Sequence, residues 1–196
     1  MHFDKAFIIG LPKHTKNRLD KTFQLFKEQD VNAMLWEGIY GLDVNIKEYQ
    51  TLGYLSDDFY LHLPGSLGCM LSHITLWESI EKDSTCEIAL ICEDDVILKN
   101  NFLKTLHAIP WSDVPDDWDL IKLSCGKLNG KSLSKTIVQP DYDKSKGRNS
   151  GMFCYLFKSS STQKIKNILV PYNGKISMDV ILRNNFNKFN IYILKN

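Results

Sequence analysis

Residues 89–96 read Ala-Leu-Ile-Cys-Glu-Asp-Asp-Val, an apolar run that stops at three consecutive acids. Ile88 to Cys92 has the length of a strand, and a short apolar run of this kind belongs in the middle of a sheet covered on both faces. In open α/β sheets ligands bind outside the carboxyl ends of the strands, which is where this sequence puts Glu93, Asp94 and Asp95. Neighbouring carboxylates repel one another, so an oxygen-seeking cation or a set of firm donors is expected beside them. On an extended backbone Glu93 and Asp95 project to the same side, which makes them the leading pair. A solvated turn after a strand is the competing reading. Against it, Val96-Ile97-Leu98 turns apolar again at once, so the chain re-enters the core on both sides of the acids.

Working outward, Ala6 to Leu11 predicts a first buried strand closed by Pro12, which cannot donate to a ladder. Asn17 is placed to cap a helix that runs to about Gln29, with Leu19, Phe23 and Phe26 on its apolar face. A second strand is expected near Val31 to Trp36, followed by an irregular or partly helical stretch from Gly38 to Pro64. Gly65 to Lys82 reads as a helix, with Leu67, Met70, Ile74 and Trp77 along one side, leading directly into the acidic strand. Beyond it the sequence predicts a short helix over Phe102 to His107, a strand over Asp119 to Ser124 and another over Met152 to Phe157. A helix over Thr162 to Leu169, a last short helix capped by Ser177 and a closing strand from Phe189 to Leu194 complete the pattern. Lys127 to Ser150, rich in Lys, Ser, Gly and Asp, has the composition of a mobile loop or weakly paired hairpin. Its Lys127, Lys131, Lys135, Lys144, Lys146 and Arg148 form either a lid over an anionic ligand or an ordinary exposed basic loop. Strands alternating with helices argue for an α/β fold with a mainly parallel central sheet, in a single domain spanning residues 1–196.

The chain has 196 residues, 43% hydrophobic and 24% charged, with a formal net charge of +1. A balance so close to neutral gives no reason to invoke nucleic acid or an anionic membrane as the main partner. Five scattered cysteines, an odd number in mostly apolar surroundings, read as reduced thiols and favour a cytoplasmic setting. No apolar run approaches the ~20 residues of a membrane span, and the N-terminus lacks the features of a signal peptide.

Gly65 and Gly68 open the long helix. Glycine there admits a phosphate to free N–H groups, or is loop punctuation. Ser72 and His73 lie inside this helix one turn before Trp77, where a histidine is either a ligand contact or a hydrogen-bonded core residue. Cys69 and His73 have metal-like spacing, but no second Cys/His pair completes a tetrahedral zinc set, so zinc is discounted. Asp179 follows Ser177 in the first turn of a short helix, where an acid favours the helix dipole whether or not it has a chemical duty. Arg18 either approaches a phosphate or decorates a helix.

Gly68, Cys69, Leu71, Ser72, His73 and Trp77, followed by Glu93-Asp94-Asp95-Val96, resemble glycosyltransferase family 25, which includes lipooligosaccharide and collagen hydroxylysine galactosyltransferases. The strand at Phe7 to Leu11, Arg18, the Ser150-Gly151 step before Tyr155 and the late Asp179 extend the resemblance over most of the chain. It implies a GT-A type domain in which about residues 1–99 bind a UDP-sugar and about residues 100–196 form the acceptor side. It further implies inverting transfer of galactose or glucose to a saccharide or glycoconjugate, with Mn2+ or Mg2+. Asp95, with Glu93, is then the metal ligand. Glu93, Asp94, Ser72, His73 and Arg18 become donor contacts and Asp179 the candidate base. An ion fixed there would stabilise charge developing on the departing diphosphate, and a carboxylate on the far side of the sugar would take the acceptor proton. Two rivals stand beside this: a noncatalytic nucleotide-sugar or carbohydrate-binding domain, and a phosphatase using a strand-end acid as nucleophile.

Overall fold

The computed structural model describes residues 3–99, 101–141 and 149–195; Lys144, Lys146 and Arg148 of the expected lid lie outside them. In chain order the elements are β1 (Lys5–Gly10), α1 (Pro12–Glu28), β2 (Ala33–Glu37), α2 (Ile46–Thr51), α3 (Pro64–Glu81), β3 (Ile88–Glu93) and α4 (Phe102–His107). There follow β4 (Leu120–Lys122), β5 (Gly130–Ser132), β6 (Ile137–Pro140), β7 (Cys154–Lys158), α5 (Thr162–Leu169), α6 (Met178–Arg183) and β8 (Ile191–Leu194).

The strands form one sheet in the order β2-β1-β3-β7-β4-β8-β6-β5. The α/β architecture matches the expectation from sequence, while the sheet is mixed rather than mainly parallel. β1 runs parallel to both β2 and β3, and β4 runs parallel to β8. β7 is antiparallel to both its neighbours, and β5-β6-β8 pair antiparallel. The reason lies in the connections: parallel neighbours need a crossover, usually helical, and α1 and α3 supply these for β1, β2 and β3. Between β4 and β7 the described chain offers only the β5/β6 hairpin, so β7 enters the sheet reversed.

β3 is buried on both faces, as its unbroken apolar run requires. Ala89 and Ile91 join the core under α3, α5 and α6, with Leu67, Ile74, Trp77, Ile165 and Leu182. Leu90 and Cys92 point the other way, into the core beneath α1 and α4 with Leu19, Phe26 and Leu106. α3 buries ten of its residues, including Ser72 and His73, because sheet, loop and helices cover it from several sides.

α1 begins at Pro12 rather than at a cap on Asn17, since proline suits the first helical position. It is interrupted at Thr15 (φ −127°, ψ 25°), whose hydroxyl is drawn to Asp94. Of the stretch expected to be irregular, only α2 is helical, capped by Asn45 Oδ1 accepting the Glu48 N–H at 3.3 Å.

Candidate active site

The crevice beyond the carboxyl ends of β1 and β3 is a topological switch point, because the chain leaves β1 for β2 on one side and returns to β3 on the other. Glu93 is the last residue of β3, and the Val96 N–H donates to its carbonyl at 3.3 Å, so the backbone turns straight after it. The extended-backbone reading that put Glu93 and Asp95 on one side therefore fails beyond Glu93. The turn aims the three acids at different surroundings.

Asp94 faces α1. Its buried carboxylate accepts from the Thr15 hydroxyl and from Arg18 Nη2 at 2.8 Å, while its carbonyl accepts from Thr22 Oγ1 at 2.8 Å. Gly10 lies directly below: a Cβ there would stand 3.3 Å from Asp94 Cβ and 2.7 Å from Leu19 Cδ1. Asp94 thus clasps the end of β3 to α1 and holds Arg18 at the crevice.

Asp95 is half-exposed, with Arg18 Nη1 3.8 Å from its Oδ2. Burial, then the charge of Glu93, raises its carboxyl above the usual range, with Arg18 opposing. Repulsion of this kind is relieved by a cation.

Glu93 points to the other side, into a cleft of about 280 Å³ that also exposes Cys69, Gly151, Phe153, Ser177 and Asp179. Behind it runs a buried chain of hydrogen bonds. Trp77 Nε1, which can only donate, gives its proton to the Tyr155 hydroxyl at 3.0 Å. The hydroxyl's own proton is then directed to His73 Nδ1 at 2.7 Å, and His73 Nε2–H faces Glu93 Oε1 at 3.4 Å. Burial pushes the Glu93 carboxyl upward, but His73 and the Cys69 thiol outweigh it and leave it below its ordinary value. Burial, reinforced by Glu93, raises the Cys69 thiol well above the usual range.

Ser72 has a different duty from His73. Its hydroxyl accepts the Ile39 N–H at 2.7 Å and donates to the Gly68 carbonyl at 2.6 Å. A Cβ on Gly68 would come within 2.4 Å of the Ile39 carbonyl, and one on Gly41 within 1.8 Å of the Pro64 carbonyl. The glycine and serine of this motif dock the loop after β2 onto α3.

Asp179, half-buried, is engaged at both oxygens: Oδ2 accepts the Gly151 N–H at 2.9 Å and Oδ1 accepts Ser177 Oγ–H at 2.6 Å. Ser177 stands at the N-cap position of α6, but its hydroxyl serves Asp179 rather than a helix N–H. Gly151, at φ +86°, takes a turn that favours glycine.

Glu93 and Asp179 therefore share one cleft, backed by His73. Asp95 and Arg18 sit beside it, Asp94 pins Arg18, and Ser72 shapes the neighbouring loop. Lys131 lies on the edge strand β5, and Lys135 in the turn that follows. Sequence reasoning missed Lys122, buried in β4, whose Nζ donates to the Asn149 carbonyl at 2.7 Å beside Ser150-Gly151. Burial lowers this lysine to about 8. A lone cation inside the apolar run Leu120 to Leu123 was the signal.

Among the described residues no helix is long and apolar enough to cross a membrane. The family model described as glycosyltransferase family 25 (LPS biosynthesis protein) matches residues 3–182, a span that takes in all these site residues. Procollagen galactosyltransferase 2 of Homo sapiens is 30% identical over 161 residues, covering 72% of this chain and 25% of that protein. Procollagen galactosyltransferase 1-A of Xenopus laevis is 31% identical over 134 residues, covering 63% and 21%. A Mus musculus protein described as inactive glycosyltransferase 25 family member 3 is 29% identical over 139 residues, covering 66% and 23%. The chain spans about a quarter of the length of these relatives.

Proposed function

This chain belongs to glycosyltransferase family 25, and we propose that it moves a hexose, galactose or glucose, from a UDP-sugar to a hydroxyl of a saccharide or glycoconjugate, with inversion. The supporting observation is the meeting of Glu93 and Asp179 in one cleft at the carboxyl end of β3, with Asp95 and Arg18 at its side. In this GT-A reading residues 1–99 hold the donor and residues 100–196 present the acceptor, and the free cysteines suit the cytoplasm.

The acids fit Mn2+ or Mg2+. Such ions take one or two carboxylates and complete their shell with water and phosphate oxygens, and the mutual repulsion of Asp95 and Glu93 is what a cation relieves. When bound, the ion supplies positive charge against the leaving diphosphate. Arg18, held by Asp94, adds a fixed positive charge on the same side. Asp179 is the proposed base: its two hydrogen bonds fix the carboxylate in place, and each oxygen keeps a further lone pair for the acceptor hydroxyl proton.

Incubation with UDP-galactose or UDP-glucose and Mn2+ is expected to release UDP, to stop on chelation and to fail in Asp95→Asn. Full release by Asp95→Asn would refute its metal role. The likeness to a relative described as inactive favours a second reading, a nucleotide-sugar binder without turnover. Metal-dependent UDP binding with no release in the presence of a broad acceptor panel would select it.

A further inference from the structure

We propose that Cys69, His73 and Glu93 form a site for a soft or borderline divalent cation, Zn2+ foremost, distinct in chemistry from the oxygen-bound ion above although it shares Glu93. Cys69 and His73 stand four residues apart, which stacks them on one face of α3. Glu93 reaches the same point from the end of β3, and one ligand atom from each of the three lies within 4.8 Å of the others. Spacing along the sequence excluded zinc because it showed only two ligands; the third comes from another element.

The two separations to Glu93 fit the coordination geometry, and the third edge lies within 4.8 Å. Zn–N and Zn–O bonds of about 2.0–2.1 Å and a Zn–S bond of about 2.3 Å, set at tetrahedral angles, need an N···O edge of about 3.3 Å and an S···O edge of about 3.5 Å. His73 Nε2 stands 3.4 Å from Glu93 Oε1, and Cys69 Sγ stands 3.6 Å from the same oxygen. An ion at the centre would displace the thiol proton and take the place of the Nε2–H, whose proton passes to Nδ1 as the ring changes tautomer.

The surroundings are those of a metal histidine. When Nε2 binds an ion the remaining ring proton sits on Nδ1, where the Tyr155 oxygen is 2.7 Å away and is itself held by Trp77. Such outer partners fix the ring and strengthen the ligand. Cys69 and Glu93 both line the cleft, so a fourth coordination position would open to solvent or to a bound molecule, as in zinc sites that are not closed structural ones. Thiolate and imidazole select zinc-like ions over manganese and magnesium.

The test uses the full chain, with Co2+ as a spectroscopic probe and Zn2+ as competitor, and it reads binding alone, so its outcome is independent of the transferase reading. Expected is a near-ultraviolet thiolate-to-cobalt charge-transfer band, bleached by one equivalent of Zn2+. Cys69→Ser should lose the band and weaken Zn2+ by about tenfold or more, and Glu93→Gln should weaken it to a similar degree. Cys125→Ser should keep both properties. Absence of the band from the unmodified chain, its survival in Cys69→Ser, or equal Zn2+ affinity in Glu93→Gln would overturn the proposal. Because the oxygen-bound ion has no thiolate ligand, the weakening in Glu93→Gln is read from the charge-transfer band, which decides the matter even if Cys69→Ser fails to fold.

Discussion

Replacing Gly68 by alanine tests why the helix carries glycine at that position. A new Cβ would stand 2.4 Å from the Ile39 carbonyl oxygen and 2.8 Å from the Gly41 nitrogen, where ordinary contact begins at 3.4 Å. The loop after β2 must therefore retreat by about 1 Å, the difference between 3.4 and 2.4 Å. That motion breaks the 2.7 Å bond from the Ile39 N–H to Ser72 Oγ, a loss of about 0.5–1.5 kcal/mol. Overpacking against backbone adds about 1–3 kcal/mol, and alanine's better helix propensity returns about 1 kcal/mol. The net expectation is a destabilisation of about 2 kcal/mol, or a fall in Tm of about 4–8 °C for a chain of this size. Gly65→Ala is the internal control: nothing lies within 4 Å of its added Cβ, so it should be neutral or stabilise by up to ~1 kcal/mol. Thermal unfolding of both variants decides between loop docking and a demand for open N–H groups. A Gly68→Ala protein as stable as Gly65→Ala would refute the docking argument.

Tyr155→Phe removes the oxygen shared by Trp77 and His73, orphaning two buried polar groups at about 1–3 kcal/mol each; urea unfolding should show a loss of at least about 2 kcal/mol. Burial holds Lys122 at about 8, below its ordinary 10.5. The unfolded chain therefore binds more protons between these values, and stability gains with rising pH there. Relative to Lys122→Met, in which other titrations cancel, the unmodified protein should gain up to about 3 kcal/mol across that window; a flat difference would contradict the buried charge. Asp179→Asn should lower hexose transfer at least about tenfold while UDP affinity changes by less than about twofold. A loss of thermal stability with transfer rate unchanged would reduce Asp179 to a clamp on Gly151.

Much of the fold was legible because local pattern carried it. The apolar run of β3 gave a strand buried on both faces, and Thr162 to Leu169 and Phe102 to His107 are the helices their patterns predicted. What failed was non-local. The reversal of β7 depends on which connection lacks a helix, and the break in α1 at Thr15 goes with a hydrogen bond to Asp94, 79 residues away. The site was legible as a place more than as a set of roles. Glu93 sits at the strand end as the sequence argument had it and meets Asp179, which that argument did not reach, with Asp95 beside them, yet the turn at Glu93 assigns Asp94 to α1. Ser72 and His73 adjoin in sequence, but on a helix they face different neighbours: a loop amide and a carboxylate. The meeting of Cys69 with Glu93 needed the tertiary fold.

The central claim, a metal-assisted UDP-sugar site at the carboxyl end of β3, is tested most directly by calorimetric titration of UDP with and without Mn2+ into the unmodified chain and Asp95→Asn. The prediction is one UDP per chain bound only with Mn2+, and at least about tenfold more weakly by the variant. No UDP uptake, or equal affinity in both proteins with and without the ion, would contradict it.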